Sequence, residues 1–233
     1  STTYWAIGFD QVTNEETFPW LKFQNNPYSS QIISQEELLT IQGYIPLASL
    51  EDVLAINSTS SHIFAQGTAF ELVTNGGLSN RYVVVKDVDL STASAFSTSL
   101  VTGTFEGIFD GNGYTLSGLA IDATVDTVGL FRQISGASIK NLTISSFNIT
   151  TSKSSVGALA SYTTGENNNI SNIQLIDSQI NGSNNVGGVI GIIYGSVTIN
   201  NVSNTANVIG SRLVGGIIGG IDGGLVTISN SHN

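Results

Sequence analysis

Few side chains in this sequence are suited to chemistry, and their spacing decides what they can do. Its 233 residues contain two histidines, His62 and His232. A metal or acid–base centre built on both would need them to meet, and the repeats described below hold them apart, so both are read as ordinary polar positions. Asp87 and Asp89 alternate along an expected strand, which turns both to one face, and with carbonyl help such a pair could hold Ca2+. They are the metal candidates; no other cofactor is expected. Polysaccharide cleavage needs grouped carboxylates, but Glu166, Asp177 and Asp222 share no repeat position and form no group. Asp110 sits in the turn Asp110-Gly111-Asn112-Gly113, where an aspartate bonds its own backbone. No enzymatic activity is expected. Tyr162 and Tyr194 occupy comparable parts of successive repeats and could stack on sugars if exposed, although packing under a loop is the competing reading. Asn-X-Ser/Thr sequons at Asn57, Asn141, Asn148, Asn169, Asn181 and Asn201 arise readily in so polar a chain; Asn181, in a loop, is the glycosylation candidate.

The composition narrows the classes further. Only 10% of residues are charged, where a soluble domain has about 25%. Gly, Ser, Thr and Asn supply the polar surface instead, as suits tight repeated turns, because Gly and Asn tolerate positive φ and hydroxyls bond the local backbone. A net charge of −10 argues against nucleic acid, which needs clustered Lys and Arg, and against an anionic membrane. There is no cysteine, hence no disulfide framework or thiolate metal site. No stretch approaches the about 18 apolar residues of a membrane-spanning helix, and no signal peptide pattern is present. The chain begins at Ser1 and lacks Met, as a processed or excised chain would.

The elements that must position these residues are repeats. Four segments start on Val-Gly, and their glycines Gly129, Gly157, Gly187 and Gly215 keep a spacing of about 29 residues. A second anchor keeps the same period: Ile139, Ile170, Ile199 and Ile228, each followed two positions later by asparagine (Asn141, Asn172, Asn201, Asn230). Each unit holds short β-branched runs, such as Val197-Thr198-Ile199, that alternate like half-buried strands. Three strands and three turns per unit match one coil of a parallel β-helix. Stacking coils at about 4.8 Å places like side chains over like. The four isoleucines then form an interior column. The four asparagines form an interior ladder at a bend, hydrogen-bonding along the axis. The four glycines sit where the chain turns with positive φ or closely approaches its neighbour. The run Gly215-Gly216-Ile217-Ile218-Gly219-Gly220 is a solenoid turn, since no Lys-Ser/Thr follows it as a phosphate loop requires.

Upstream, residues 82–90 read as a strand ending in an acidic turn. Residues 105–119 read as two short strands around the Asp-Gly-Asn-Gly turn. Residues 49–56 combine an N-cap serine, early acids and helically spaced apolar residues, and are expected to form a short helix closing the first coil. A second helix start is read at Ser34.

These segments resemble the GLUG-motif family of bacterial and archaeal surface proteins. The resemblance rests on the Val-Gly-Gly-Ile-Ile-Gly type runs and on residues 105–119, and covers about residues 49–233. It implies an all-β fold, a right-handed parallel β-helix of about five coils, carried within adhesins and other cell-surface proteins. Tyr4-Trp5 followed by Phe18-Pro19-Trp20-Leu21-Lys22-Phe23 resembles the tail that commonly follows such an array. Here it precedes one, which fits either a piece of a longer tandem protein or a subunit whose first segment covers a neighbour's open end. The expected organisation is an N-terminal segment (1–48), first coils with a capping helix (49–127) and the repeats (128–233). The expected function is an extracellular, non-enzymatic stalk or adhesion segment at the cell surface. Its partners would be other protein segments, neighbouring subunits end to end, or glycans, with no nucleic acid and no membrane span. A self-assembling filament subunit and a polysaccharide-active enzyme are the alternatives.

Overall fold

The computed structural model describes residues 43–233 and, before them, the backbone of strands Tyr4–Ala6 and Lys22–Gln24, which pair antiparallel. The chain divides into two compact units, residues 1–42 and 43–233. The second helix start read at Ser34 and the aromatic run at residues 18–23 fall in the first unit, where the backbone at residues 22–24 is described and the other positions lie outside the described residues.

The second unit is a parallel β-solenoid of about five coils. Its longest sheet runs through seven strands, from Tyr44–Leu47 through Arg81–Val84, Ile108–Asp110, Ser138–Ser145, Asn168–Ile176 and Val197–Asn204 to Val226–Ser229. Every neighbouring pair is parallel. The first of these strands lies inside the segment assigned above to residues 1–48: Tyr44-Ile45-Pro46-Leu47 is apolar throughout and buried, so the stack begins there.

Register explains the period. Along the long sheet Ile45, Tyr82, Phe109, Ile139, Ile170, Ile199 and Ile228 are direct partners from strand to strand. Ile139, Ile170 and Ile199 are fully buried, whereas Ile228 is 48% exposed, since among the described residues no strand follows its own in the sheet. A second sheet stacks Ile121, Ile149, Ile180 and Val208. A fourth, of five strands, stacks Phe131, Ala160, Ile190 and Ile218. The first coils are filled by aromatics, with Phe105 and Phe131 centroids 4.8 Å apart and Phe109 edge-on to Phe131 at 5.5 Å. Later coils use β-branched residues, which suit a pleated, buried surface.

Each repeat coil has four strands, not the expected three. The extra one is the third sheet, Ser154–Val156, Asn184–Gly187 and Arg212–Gly215. Asn184-Asn185-Val186-Gly187 has the composition of a turn, and it becomes a strand because Val186 joins the column Val128, Val156, Val186 and Val214, whose first three members are fully buried while Val214 is 44% exposed.

The expected helix is present at Leu50–Ala55, with the Ser49 hydroxyl accepting from the Asp52 amide at 3.2 Å. Val53 and Ile56 join the core beside Leu47 and Phe64. The antiparallel pair Ser61–Phe64 and Leu72–Asn75 follows it.

Candidate functional site

The Val-Gly anchor is a place where backbone meets backbone. A Cβ on Gly187 would overlap the carbonyl oxygen of Ile190, one on Gly157 that of Ala160, and one on Gly215 that of Ile218; on Gly129 it would overlap the carbonyl of Gly157 in the next coil. None of the four has a positive φ. Of the two expected reasons for glycine, close approach is the one at work. The chain folds back tightly here, from the third sheet into the fourth. The left-handed residues lie two positions earlier, at Thr127, Ser155, Asn185 and Leu213, with φ between 49° and 68°.

The asparagine ladder lies on the outside of the coil, correcting the expected interior placement. Asn141 is half-buried while Asn172, Asn201 and Asn230 are exposed. All four adopt φ of 50–56°, so the strand bends there and the side chain swings outward. Asn172 Nδ2 donates to Asn141 Oδ1 at 2.8 Å, and Asn201 Nδ2 to Asn172 Oδ1 at 2.9 Å. Asn141 Nδ2 donates to the buried carboxylate of Asp110 at 3.0 Å, which heads the ladder and is faced by Lys140 Nζ at 3.4 Å. Asp110 also accepts from the Asn112 amide at 2.9 Å, the local bond expected of its turn. The last rung departs: Asn230 donates to Asn200 Oδ1 at 3.0 Å instead of Asn201.

A second amide pair, unforeseen, has one member in the interior and the other, Asn233, exposed. Asn204 is 1% exposed and occupies the column where earlier coils place Leu116, Ile144 and Leu175. Its Nδ2 donates to the Gly216 carbonyl at 2.8 Å and to Asn233 Oδ1 at 2.6 Å, and its Oδ1 accepts from the Ala206 amide at 2.8 Å. Gly188 makes room, since a Cβ there would lie 2.6 Å from Asn204 Nδ2; in the previous coil Ala158 stands in its place.

Each calcium candidate accepts a backbone amide through one carboxylate oxygen. Asp87 immediately precedes the strand Val88–Asp89, and its Oδ1 accepts from the Thr115 amide of the next coil at 2.8 Å. Asp89 Oδ1 accepts from the Ser91 amide at 2.9 Å, which holds its carboxyl below the usual range. Among the described residues no group of three or more His, Asp or Glu converges as a metal site would require.

His62 is more than an ordinary polar position. Its Nε2 lies 2.8 Å from Oδ1 of Asp52, a carboxylate with 2% side-chain exposure, and its ring stands edge-on to Phe64 at 4.6 Å. Asp52 Oδ2 accepts from the amides of Ala48 at 2.8 Å and Ala65 at 3.1 Å. One carboxylate thus ties the helix to the strands on both sides of it. Ser49 followed by Asp52 was the sequence signal; the histidine ten residues on was not legible. His232 is exposed at the other end of the unit, in a bridge to Ser203.

Tyr162 and Tyr194 meet on the outer face of the fourth sheet, ring centroids 6.2 Å apart and nearly perpendicular. Tyr162 is half-buried and Tyr194 47% exposed. Of the six sequons, Asn57 is engaged through both amide atoms, with Leu100 and Thr102, and Asn141 and Asn201 belong to the ladder. Asn148 and Asn169 are exposed on strands, and Asn181 is half-buried at the end of the strand Gln179–Asn181, paired on both sides, rather than in the expected loop.

No known family profile matches the chain. No solved structure matches it. Over 126 residues, 48% of its length, the chain is 31% identical to halomucin of Haloquadratum walsbyi (strain DSM 16790 / HBSQ001), and the match spans 1% of that protein. The chain is a parallel β-solenoid similar to one short stretch of a very much longer protein.

Proposed function

We propose that this chain is a non-enzymatic structural and adhesive module of an extracellular, cell-surface protein, acting as a stalk or adhesion segment. The observation that carries the reading is the unbroken register of the long sheet, in which each of seven strands pairs parallel with the next. Every coil is held to its neighbours by backbone hydrogen bonds and by a continuous apolar column, so the unit resists bending and presents fixed outer faces. The likeness to a stretch of halomucin supports an extracellular surface setting. So does the resemblance of the Val-Gly corners to the GLUG-motif surface proteins. A surface whose polarity comes from Asn, Thr, Ser and Gly suits such a scaffold.

Antibodies raised against residues 43–233 test the location on cells that make the protein. Labelling of intact, unpermeabilised cells is expected. Labelling that appears only after permeabilisation would overturn the reading.

A further inference from the structure

The fourth sheet consists of Val101–Phe105, Phe131–Ser135, Ala160–Thr164, Ile190–Ile193 and Ile218–Ile221. Its outer face carries a belt of side chains that fix one another along the solenoid axis. Gln133 Oε1 accepts from Thr104 Oγ1 and from the Tyr162 hydroxyl, each at 2.8 Å, and Gln133 Nε2 donates to Thr164 Oγ1 at 2.8 Å. Three successive strands thereby lock the Tyr162 ring in place. Tyr194 rises beside it. Arg132 completes the group: its Nε donates to the Thr102 carbonyl at 2.7 Å, and its guanidinium carbon lies 6.0 Å from the centre of the Tyr162 ring.

A single exposed aromatic is ordinary on any protein surface. Two further features set this place apart. Among the described residues no carboxylate lies within ion-pair distance of Arg132, although the chain has 17 acidic and 7 basic residues. The guanidinium is also held by its Nε, which leaves the Nη edge as the fork that matches a planar anion. An aromatic face attracts the positively polarised C–H face of a sugar ring, and a ring already fixed by its neighbours, as Tyr162 is, loses little entropy on binding.

We propose that this face binds an acidic saccharide, with Tyr194 and Tyr162 packing against a pyranose ring and Arg132 taking its carboxylate or sulfate. The proposal deepens the adhesive reading by naming a ligand class, and it is tested in solution, independently of where the protein resides.

Isothermal titration calorimetry of the whole chain against an oligogalacturonate, a sulfated heparin-derived oligosaccharide and a neutral cello-oligosaccharide reads it directly. Saturable binding of at least one acidic oligosaccharide is expected, at least tenfold tighter than the neutral one and weakening as salt rises. Which acidic probe binds identifies the anion. Tyr194→Ala and Arg132→Gln are each expected to weaken binding at least tenfold, with unchanged far-ultraviolet circular dichroism. Tyr194→Leu, which keeps apolar bulk and removes the aromatic face, should lose binding as well. No binding of either acidic probe, equal binding of the neutral one, or acidic binding indifferent to the Tyr194 and Arg132 variants would overturn the proposal.

Discussion

Leu213 holds a backbone conformation that its side chain does not favour. Its φ is 49°, the same left-handed position filled by Asn185 and Ser155 in the preceding coils. A leucine there costs about 1–2 kcal/mol, which asparagine largely avoids. The side chain is 55% exposed, so little packing is lost on replacing it. Leu213→Asn is therefore expected to stabilise the fold by about 1 kcal/mol in urea unfolding; a lower midpoint would contradict this. The ladder asparagines separate two effects at one position. Asn172→Ala loses both ladder hydrogen bonds and strains φ, costing about 2 kcal/mol, while Asn172→Gly loses the bonds without the strain and should cost less. Equal losses would mean that the left-handed turn is not what asparagine serves. At Gly187 the obstacle is the main chain of Ile190, which cannot rotate aside. Gly187→Ala should cost about 3 kcal/mol or more by the same measurement.

At the scale of the elements, the helix Leu50–Ala55 depends on a carboxylate more than on its own length. Six residues form no stable helix alone. Val53 and Ile56 bury its inner face, and Asp52 anchors it to the Ala48 and Ala65 amides and to His62. Asp52→Ala leaves two buried amides without acceptors and should destabilise this end by about 3 kcal/mol. Hydrogen exchange is the check: amides near Phe64 should lose protection while those near Ile170 keep it. Uniform loss would mean that this end does not open separately. The elements also show what could be read in advance. The period was legible because every coil repeats the same burial demand at Ile139, Ile170 and Ile199, and an interior column admits few residue types. The strand Asn184–Gly187 was not legible, because its asparagines signal a turn and Val186 alone marks its buried side. The ladder was visible in sequence, but its outward direction depends on a φ that asparagine permits without dictating. The Asp52–His62 contact joins two elements whose approach no local pattern encodes. Tyr162 and Tyr194 were noticed through repeat position, yet the register partner of Tyr162 is Ile192; the rings meet because Tyr194 leans across from two residues further along.

For the solenoid as a whole, in-register stacking is the fold. Columns hold when each rung matches the next in size and polarity, and the interior change from Leu175 to Asn204 is matched by Gly188 and by Asn233. The described unit contains no cysteine, so register can be read with introduced pairs. Asn169 and Thr198 are exposed direct partners on neighbouring strands, whereas Asn200 lies two residues further along the strand that partners Asn169. Direct partners sit about 4.8 Å apart and the diagonal pair about 8 Å, beyond disulfide reach. Under mild oxidation, Asn169→Cys with Thr198→Cys should close rapidly within one molecule, giving a faster-migrating band on a non-reducing gel. Asn169→Cys with Asn200→Cys should close far more slowly. Equal rates for the two pairs, or closure of the diagonal pair alone, would contradict the in-register stack on which the rest depends.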